Sequence, residues 1–547
     1  MKNGFRQSMA WLHTWTGLLL GWLLFAIFLT GTLAYFRSEI TYWMKPELHV
    51  SQPAGDPVPL ALSRLAQLAP AAPSWSITLP DQRNPSLSVS WSNPGEAPGR
   101  RGGPSAILDQ TSGQILHPRQ TAGGDFLYRF HFELYGLPRA LARWIVGIAT
   151  MAMFVAIISG VITHKKIFKE FFTFRPGKGQ RSWLDMHNMT AVLALPYHIM
   201  ITFSGLVLFV STLMPLVIER GPQRPPQPAA EVAEAPPPRP LPQLTAIAPL
   251  MAQAETAWGG MPVGRIQIEK LDTDTPEILL VPQRQSVVTV QSGSGANGSE
   301  RMRFDALTGR QIEATGVPEA SVVAQVNMAL GALHRARFSD TGLRWLFFAA
   351  GLAGTLMIGT GMVLWVSKRA MKHAKSGVQP FGLRLVDRLN VGGIAGLCLA
   401  SAGYFWANRL IPAAAENRAG LEIAAFLLIW AAAAIHPFLR GTEKSWSEQL
   451  ALTAVLALLL PVLNMATGPS GLPQALMAGN MVLASVDLMA LICGAVAAIA
   501  AWKARPGQQK KPKANRRPPA AKPAPAAAVA QTGVPQTGVP QTGVAGE

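Results

Sequence analysis

Cysteine and charge are what this chain has least of. Its 547 residues include two cysteines, Cys398 and Cys493, both inside apolar runs. That argues against a disulfide framework and against a Cys-ligated metal or iron–sulfur centre. Charged residues make up 14% and apolar ones 49%, a balance suited to a membrane protein rather than to several soluble domains. Common catalytic signatures are missing as well: no Walker loop, no serine-nucleophile elbow, no HExxH and no dinucleotide fingerprint. Acidic residues are the minority charge, 30 against 48 Lys and Arg. The basic excess sits in short segments beside the apolar runs, which is the positive-inside pattern and not a nucleic-acid-binding patch.

What the chain does have is apolar runs of the roughly 20 residues needed to cross a bilayer. The first, about Trp15–Phe36, follows Lys2 and Arg6 and is too long for a signal-peptide core. Segment 1–36 therefore reads as an uncleaved span. Residues 37–140 read as a small α+β domain outside the membrane, with strand-like SITLP and LSVSWS and a flexible loop at Asn93–Pro104. Spans follow at 141–163 and 188–213, joined by a basic cytoplasmic loop, 164–187. Residues 214–342 hold a Pro-rich linker and a second small α+β domain; the fourth span is 343–366, and 367–387 is again basic. Four more spans occupy 388–502, and the basic, Pro/Ala-rich tail 503–547 is expected to be disordered. The expected fold class is an all-α polytopic membrane bundle of about eight helices, with two small extracytoplasmic α+β domains. Both termini are expected in the cytoplasm of a bacterial cell, the bundle lying in its inner membrane.

The chain repeats itself. A shift of 174 residues carries His13 onto His187 and Thr30-Gly31 onto Ser204-Gly205. A shift of 201 carries Arg143-Trp144 onto Arg344-Trp345 and Ser159-Gly160 onto Thr360-Gly361. Between the paired helices lie matching turns, D-x-x-S-G at Asp109–Gly113 and D-x-x-T-G at Asp305–Gly309. The first four spans are thus a tandem duplication in parallel orientation.

Six of the ten histidines fall into two layers of this repeat: His13, His164 and His187 on the cytoplasmic side, His131, His198 and His334 on the outer side. His164 aligns with Trp365 and His198 with Leu24, so these two break the symmetry. His187 and His198 stand eleven residues apart on one expected helix, about 16 Å of rise on nearly one face. Of the rest, His49 and His117 read as surface residues, His373 as a loop residue and His436 as an interface residue.

An ionisable side chain inside a bilayer is usually functional, and imidazole is the commonest metal ligand. Haem, copper, zinc and a proton relay all use such groups. An apolar helical bundle best suits haem, whose iron takes one imidazole from each side. Gly17, Gly31, Gly160, Gly205 and Gly361 would let a macrocycle approach the backbone, though each equally suits close helix packing. Zinc usually wants carboxylate or thiolate company, and only Asp185 and Glu133 lie near. Symmetry favours the pairs His13–His187 and His131–His334. The shared helix face favours His198 as an outer ligand instead, and His164 competes on the cytoplasmic side.

With these residues in hand, the chain resembles the PepSY-associated transmembrane family. The motifs are His13-x₃-Gly17 with Thr30-Gly31, HFELYG from His131, Ser159-Gly160-Val-Ile-Thr-His164, Asp185-x-His187 with Pro196-Tyr197-His198, and His334 before the fourth span. The two D-x-x-[ST]-G turns resemble the ends of PepSY domains. The resemblance covers about residues 1–370 and implies an inner-membrane ferrisiderophore reductase carrying haem b, two groups in all, held by the six histidines. Its substrate would be a ferric siderophore or another Fe(III) chelate, and its electron donor a cytoplasmic or membrane partner. A homodimer is left open. Two other readings stand beside it: a siderophore or metal permease using Asn464 and Asp487, or an envelope binding or regulatory protein acting through its PepSY-like domains.

Overall fold

The computed structural model describes residues 4–51, 55–93, 103–164, 175–177, 179–214, 240–283, 301–312, 322–336, 340–373 and 378–506. Residues 215–239 of the expected linker, 165–174 and 178 of the 164–187 loop, 94–102 of the Asn93–Pro104 loop and the tail beyond 506 lie outside the described residues. The first half of the repeat opens with α1 (Phe5–Ala34) and α2 (Arg37–Trp43), then α3 (Pro57–Leu68). Strands β1 (Trp75–Thr78), β2 (Leu87–Trp91), β3 (Ser105–Leu108) and β4 (Ile115–Leu116) follow, then α4 (Gly123–Glu133) and α5 (Arg139–Thr163). The second half runs α6 (Gln180–Leu193), α7 (Leu195–Leu208), α8 (Ile247–Ala257), β5 (Val263–Glu269), β6 (Glu277–Pro282), β7 (Met302–Asp305) and β8 (Gln311–Ile312). It closes with α9 (Val322–Arg335) and α10 (Thr341–His373). Beyond the repeat come α11 (Phe381–Leu410), α12 (Arg418–Arg440), α13 (Thr442–Thr467) and α14 (Met481–Lys503).

Seven of these helices are long and apolar enough to cross a membrane, and the bent pair α6–α7 makes an eighth if it crosses as one unit. Helices dominate because hydrocarbon cannot satisfy a free N–H or C=O, so each span must bond its own backbone. The third span departs from the continuous helix expected over 188–213. It breaks at Ala194 and turns by 69° between α6 and α7. The cause is Pro196, which lacks an N–H and crowds the carbonyl four residues before it. Proline is tolerated in the first turn of a new helix, and there it sits in α7. His187 and His198 therefore lie on two differently directed helices, not on one face of one helix.

The two α+β segments are also not separate domains. Their strands form one antiparallel sheet in the order β4-β3-β2-β1-β5-β6-β7-β8. The join is β1 against β5, with Ile77 opposite Ile266, both fully buried. Helices α3 and α8 cover it through Val58, Leu65, Leu250 and Ala254. The matching turns hold β3 to β4 and β7 to β8 in one way: the Asp109 carboxylate accepts from the N–H of Thr111 and Ser112, and that of Asp305 from Leu307 and Thr308. Each ends on a glycine at positive φ, 68° at Gly113 and 73° at Gly309, where a side chain would strain the backbone. Those backbone donors pull both carboxyls below their usual range.

Candidate functional site: two facing histidine pairs

The repeat brings four histidines together in two pairs. His13 of α1 faces His187 of α6 with ring centroids 6.2 Å apart, and His131 of α4 faces His334 of α9 at 6.1 Å. These separations are too long for the rings to bond each other.

Each imidazole is aimed by its other nitrogen. His13 Nδ1 lies 2.8 Å from the Ala156 carbonyl oxygen, His187 Nδ1 2.8 Å from that of Met357, and His131 Nδ1 2.7 Å from that of Ile27. A carbonyl only accepts, so Nδ1 carries the proton and Nε2 keeps its lone pair. His334 Nδ1 lies 2.9 Å from Ser204 Oγ, with the Ile201 carbonyl also facing it. Since Ser204 gives its own hydroxyl proton to Met200 O at 2.7 Å, it accepts from His334, and the same tautomer results.

The glycines explain how the rings reach those carbonyls. A Cβ at Gly31 would lie 2.6 Å from His131 Nδ1, and one at Gly361 3.0 Å from His187 Cε1. At Gly160 it would lie 3.1 Å from His13 Cε1, and at Gly205 3.2 Å from His334 Cε1. In every case the carbonyl facing the ring belongs to the residue four before the glycine. The missing side chain opens the groove, and the ring enters it. These four glycines thus admit an imidazole directly, while a Cβ at Gly17 would meet nothing within 4 Å. The preceding Thr30, Ser159, Ser204 and Thr360 hydroxyls each turn back onto the carbonyl four residues earlier, and the Ser204 oxygen in turn accepts from His334. This [ST]-G step, repeated four times, was visible in the sequence; its histidine partner was not.

The other two predicted residues join neither pair. His164 ends α5, where its Nε2 accepts from the Asn188 side-chain amide at 2.8 Å. His198 is fully buried and makes no well-formed hydrogen bond, with the Ala191 and Ala350 carbonyls beside it. Its ring packs edge-on against Phe28 and Tyr197, at 6.4 and 5.9 Å, and a Cβ at Gly354 would lie 3.1 Å from its Nε2. Among the histidines expected at the surface, His117 is exposed, but His49 is buried, its Nε2 2.9 Å from the Tyr42 carbonyl and its ring on Tyr42. Burial pushes the His49 imidazole down to about 4.

His131 and His334 line a cavity of about 740 Å³. Its lining includes the apolar Val146, Met153, Ile201 and Phe209 and the charged Arg37, Lys45, Arg83, Arg143, Arg335 and Asp125; Arg83 pairs with Glu39 at 3.0 Å and Arg143 with Glu133 at 2.6 Å. Arg37 pairs with Asp125 and lies 4.3 Å over the Tyr128 ring. The Asp125 bond raises the Arg37 guanidinium further, while burial lowers the Lys45 ammonium. Among the described residues no three His, Cys, Asp or Glu side chains converge as a metal cluster.

A profile of the PepSY-associated TM region matches residues 10–368, the span that contains both histidine pairs. The chain belongs to the PepSY-associated transmembrane family. It is similar to another protein, from Pseudomonas aeruginosa and described as uncharacterised, at 26% identity over 393 residues, covering 69% of this chain and 94% of that one. For this PepSY-associated protein, a multi-pass membrane location follows from the family together with its apolar helices.

Proposed function

We propose that this protein is a di-haem electron carrier of the bacterial inner membrane, reducing an Fe(III) chelate outside the membrane and so releasing its iron. One observation carries the reading: two pairs of imidazoles, all four aimed through Nδ1, with ring centroids 6.2 and 6.1 Å apart. A metal–imidazole bond is roughly 2 Å, so each gap suits one metal atom between two Nε2 lone pairs. The apolar part of the cavity lining shared with His131 and His334 suits a flat macrocycle. A bound haem would supply one-electron redox chemistry at each pair.

The chain's own part is orientation, charge and exclusion of water. The backbone carbonyls lock ring direction and make Nε2 a better donor. With Arg37, Arg83 and Arg143 each paired to a carboxylate, Lys45 and Arg335 leave the lining net positive, which favours an anionic ligand in the cavity. Hard oxygen ligands hold Fe(III) better than Fe(II), so an electron delivered to an Fe(III) siderophore loosens the metal without breaking the chelator. The positive-inside pattern puts the His13–His187 pair nearer the cytoplasmic donor and the His131–His334 pair nearer the substrate.

The permease alternative has less support. Its two polar candidates are tied to each other, Asn464 Nδ2 donating to Asp487 at 3.0 Å, and Asp487 also accepts from Trp43 Nε1 at 2.9 Å. A partner-binding role for the sheet leaves both histidine pairs without a purpose. The test is an absorption spectrum of the purified protein made with ample haem. A low-spin Soret band that sharpens on dithionite, with two haems per chain, is expected; a colourless protein overturns the proposal.

A further inference from the structure

The four helices beyond the repeat, α11 to α14, have no counterpart in the duplication, yet α11 and α12 grip the short segment that leads into α4. Each residue from Arg119 to Gly123 bonds to them. Arg119 Nη1 donates to the Asn408 carbonyl at 3.2 Å, and Arg418 Nη1 donates to the Gln120 carbonyl at 2.8 Å. Thr121 Oγ1 donates to Glu422 at 2.6 Å, the Ala122 N–H to the same carboxylate at 3.1 Å, and Tyr404 OH to the Gly123 carbonyl at 2.9 Å. Glu422 is itself fully buried, paired with Arg418 and bonded by Asn408 Nδ2 at 2.7 Å.

At the start of α4 the Gly123 N–H donates to Thr121 Oγ1 and the Gly124 N–H to Thr41 Oγ1, both at 3.0 Å. The first N–H groups of a helix need acceptors and favour negative charge. Glu422 brings a carboxylate there from a distant span, accepting from the Thr121 hydroxyl and from the N–H of Ala122, the residue before the helix. Farther along, Phe126 packs on Tyr404 and Phe426 at 5.1 and 5.0 Å, and Phe130 on Phe426 and Trp430 at 5.6 and 5.9 Å. The next residue is His131. On its opposite side α4 meets α1, where Gly31 leaves room for the ring and nothing more.

We infer that α11 and α12 are a positioning frame for His131, with Glu422 as the positioning residue that anchors the start of α4. This rests on the haem reading for its consequence, though not for its geometry. The contacts on Arg119–Gly123, Phe126 and Phe130 act on α4 and so on His131, whereas His13 and His187 bond α5 and α10 carbonyls through Nδ1.

The experiment uses the full chain with Tyr404→Phe and Phe426→Leu, which remove an anchor bond and anchor packing while keeping the Thr121–Gly123 bond and the Arg418–Glu422 pair. Hydrogen exchange at the amides of 122–127 reads the frame without any cofactor, and redox titration reads each haem. Exchange there is expected to rise about tenfold, with one haem midpoint shifted or that haem lost and the other unchanged. Unchanged exchange in both variants overturns the inference, as does an equal effect on the two haems. If the wild-type protein binds no haem, the functional proposal fails alone and the exchange result still decides the frame.

Discussion

Gly31 offers the sharpest test of how the outer histidine is held. Its missing Cβ would stand 2.6 Å from His131 Nδ1, against at least 3.4 Å for ordinary contact, so Gly31→Ala requires a retreat of about 0.8 Å. The Nδ1 to Ile27 bond is 2.7 Å and would stretch to the limit of a hydrogen bond. Losing that bond costs about 1 kcal/mol net, roughly fivefold in an equilibrium constant. Misdirecting the ring adds the cost seen when an outer-shell partner of a ligand is lost, about 10- to 100-fold in affinity. Gly31→Ala is therefore expected to lose one of two haems on dilution, measured by haem per chain and by redox titration. Gly17→Ala is the control, because its Cβ would meet nothing within 4 Å. Full occupancy with an unshifted midpoint in Gly31→Ala, or an equal loss in Gly17→Ala, would refute the reasoning.

Three further outcomes follow from the same geometry. His187→Ala should lose one haem, whereas His198→Ala should keep both, since His198 stands outside both pairs; a haem missing from the His198 variant would make it a ligand. Reduction of an anionic Fe(III) chelate should slow as salt rises, because Lys45 and Arg335 leave the cavity lining net positive, and a salt-independent kcat/KM would contradict steering. His49 resists protonation when folded: its imidazole is held at about 4 against 6.5 in the unfolded chain. Its contribution is complete above about pH 6.5 and is lost as pH falls towards 4, by about 3 kcal/mol at most. His49→Gln should flatten that part of the melting-temperature profile, and an unaltered acid limb would assign it to other groups.

Legibility in the sequence was uneven for physical reasons. The D-x-x-[ST]-G turns were readable because one aspartate, one glycine and their spacing carry the whole interaction. The break at Ala194 was readable in principle from Pro196, but an uninterrupted apolar run outweighed it. The glycines were noticed and half understood. They admit imidazole rings, and the acceptor of three of the four rings is a backbone carbonyl, which every residue has and no side-chain pattern can mark. His49 looked like a surface residue because its burial comes from Tyr42 and the packing of a short turn, not from an apolar run.

By itself the sequence determined the order of the apolar helices, the offsets of the duplication and the positions of its histidines. Those properties are written in composition and spacing, since lipid enforces helices and a repeat needs only a constant offset. Only the tertiary structure decided that two α+β segments share one sheet through β1 and β5, and that His13 meets His187 and His131 meets His334. It alone left His164 and His198 aside and set α11 and α12 against α4. Such choices rest on contacts between residues tens to hundreds of positions apart, where local pattern carries no record of the partner.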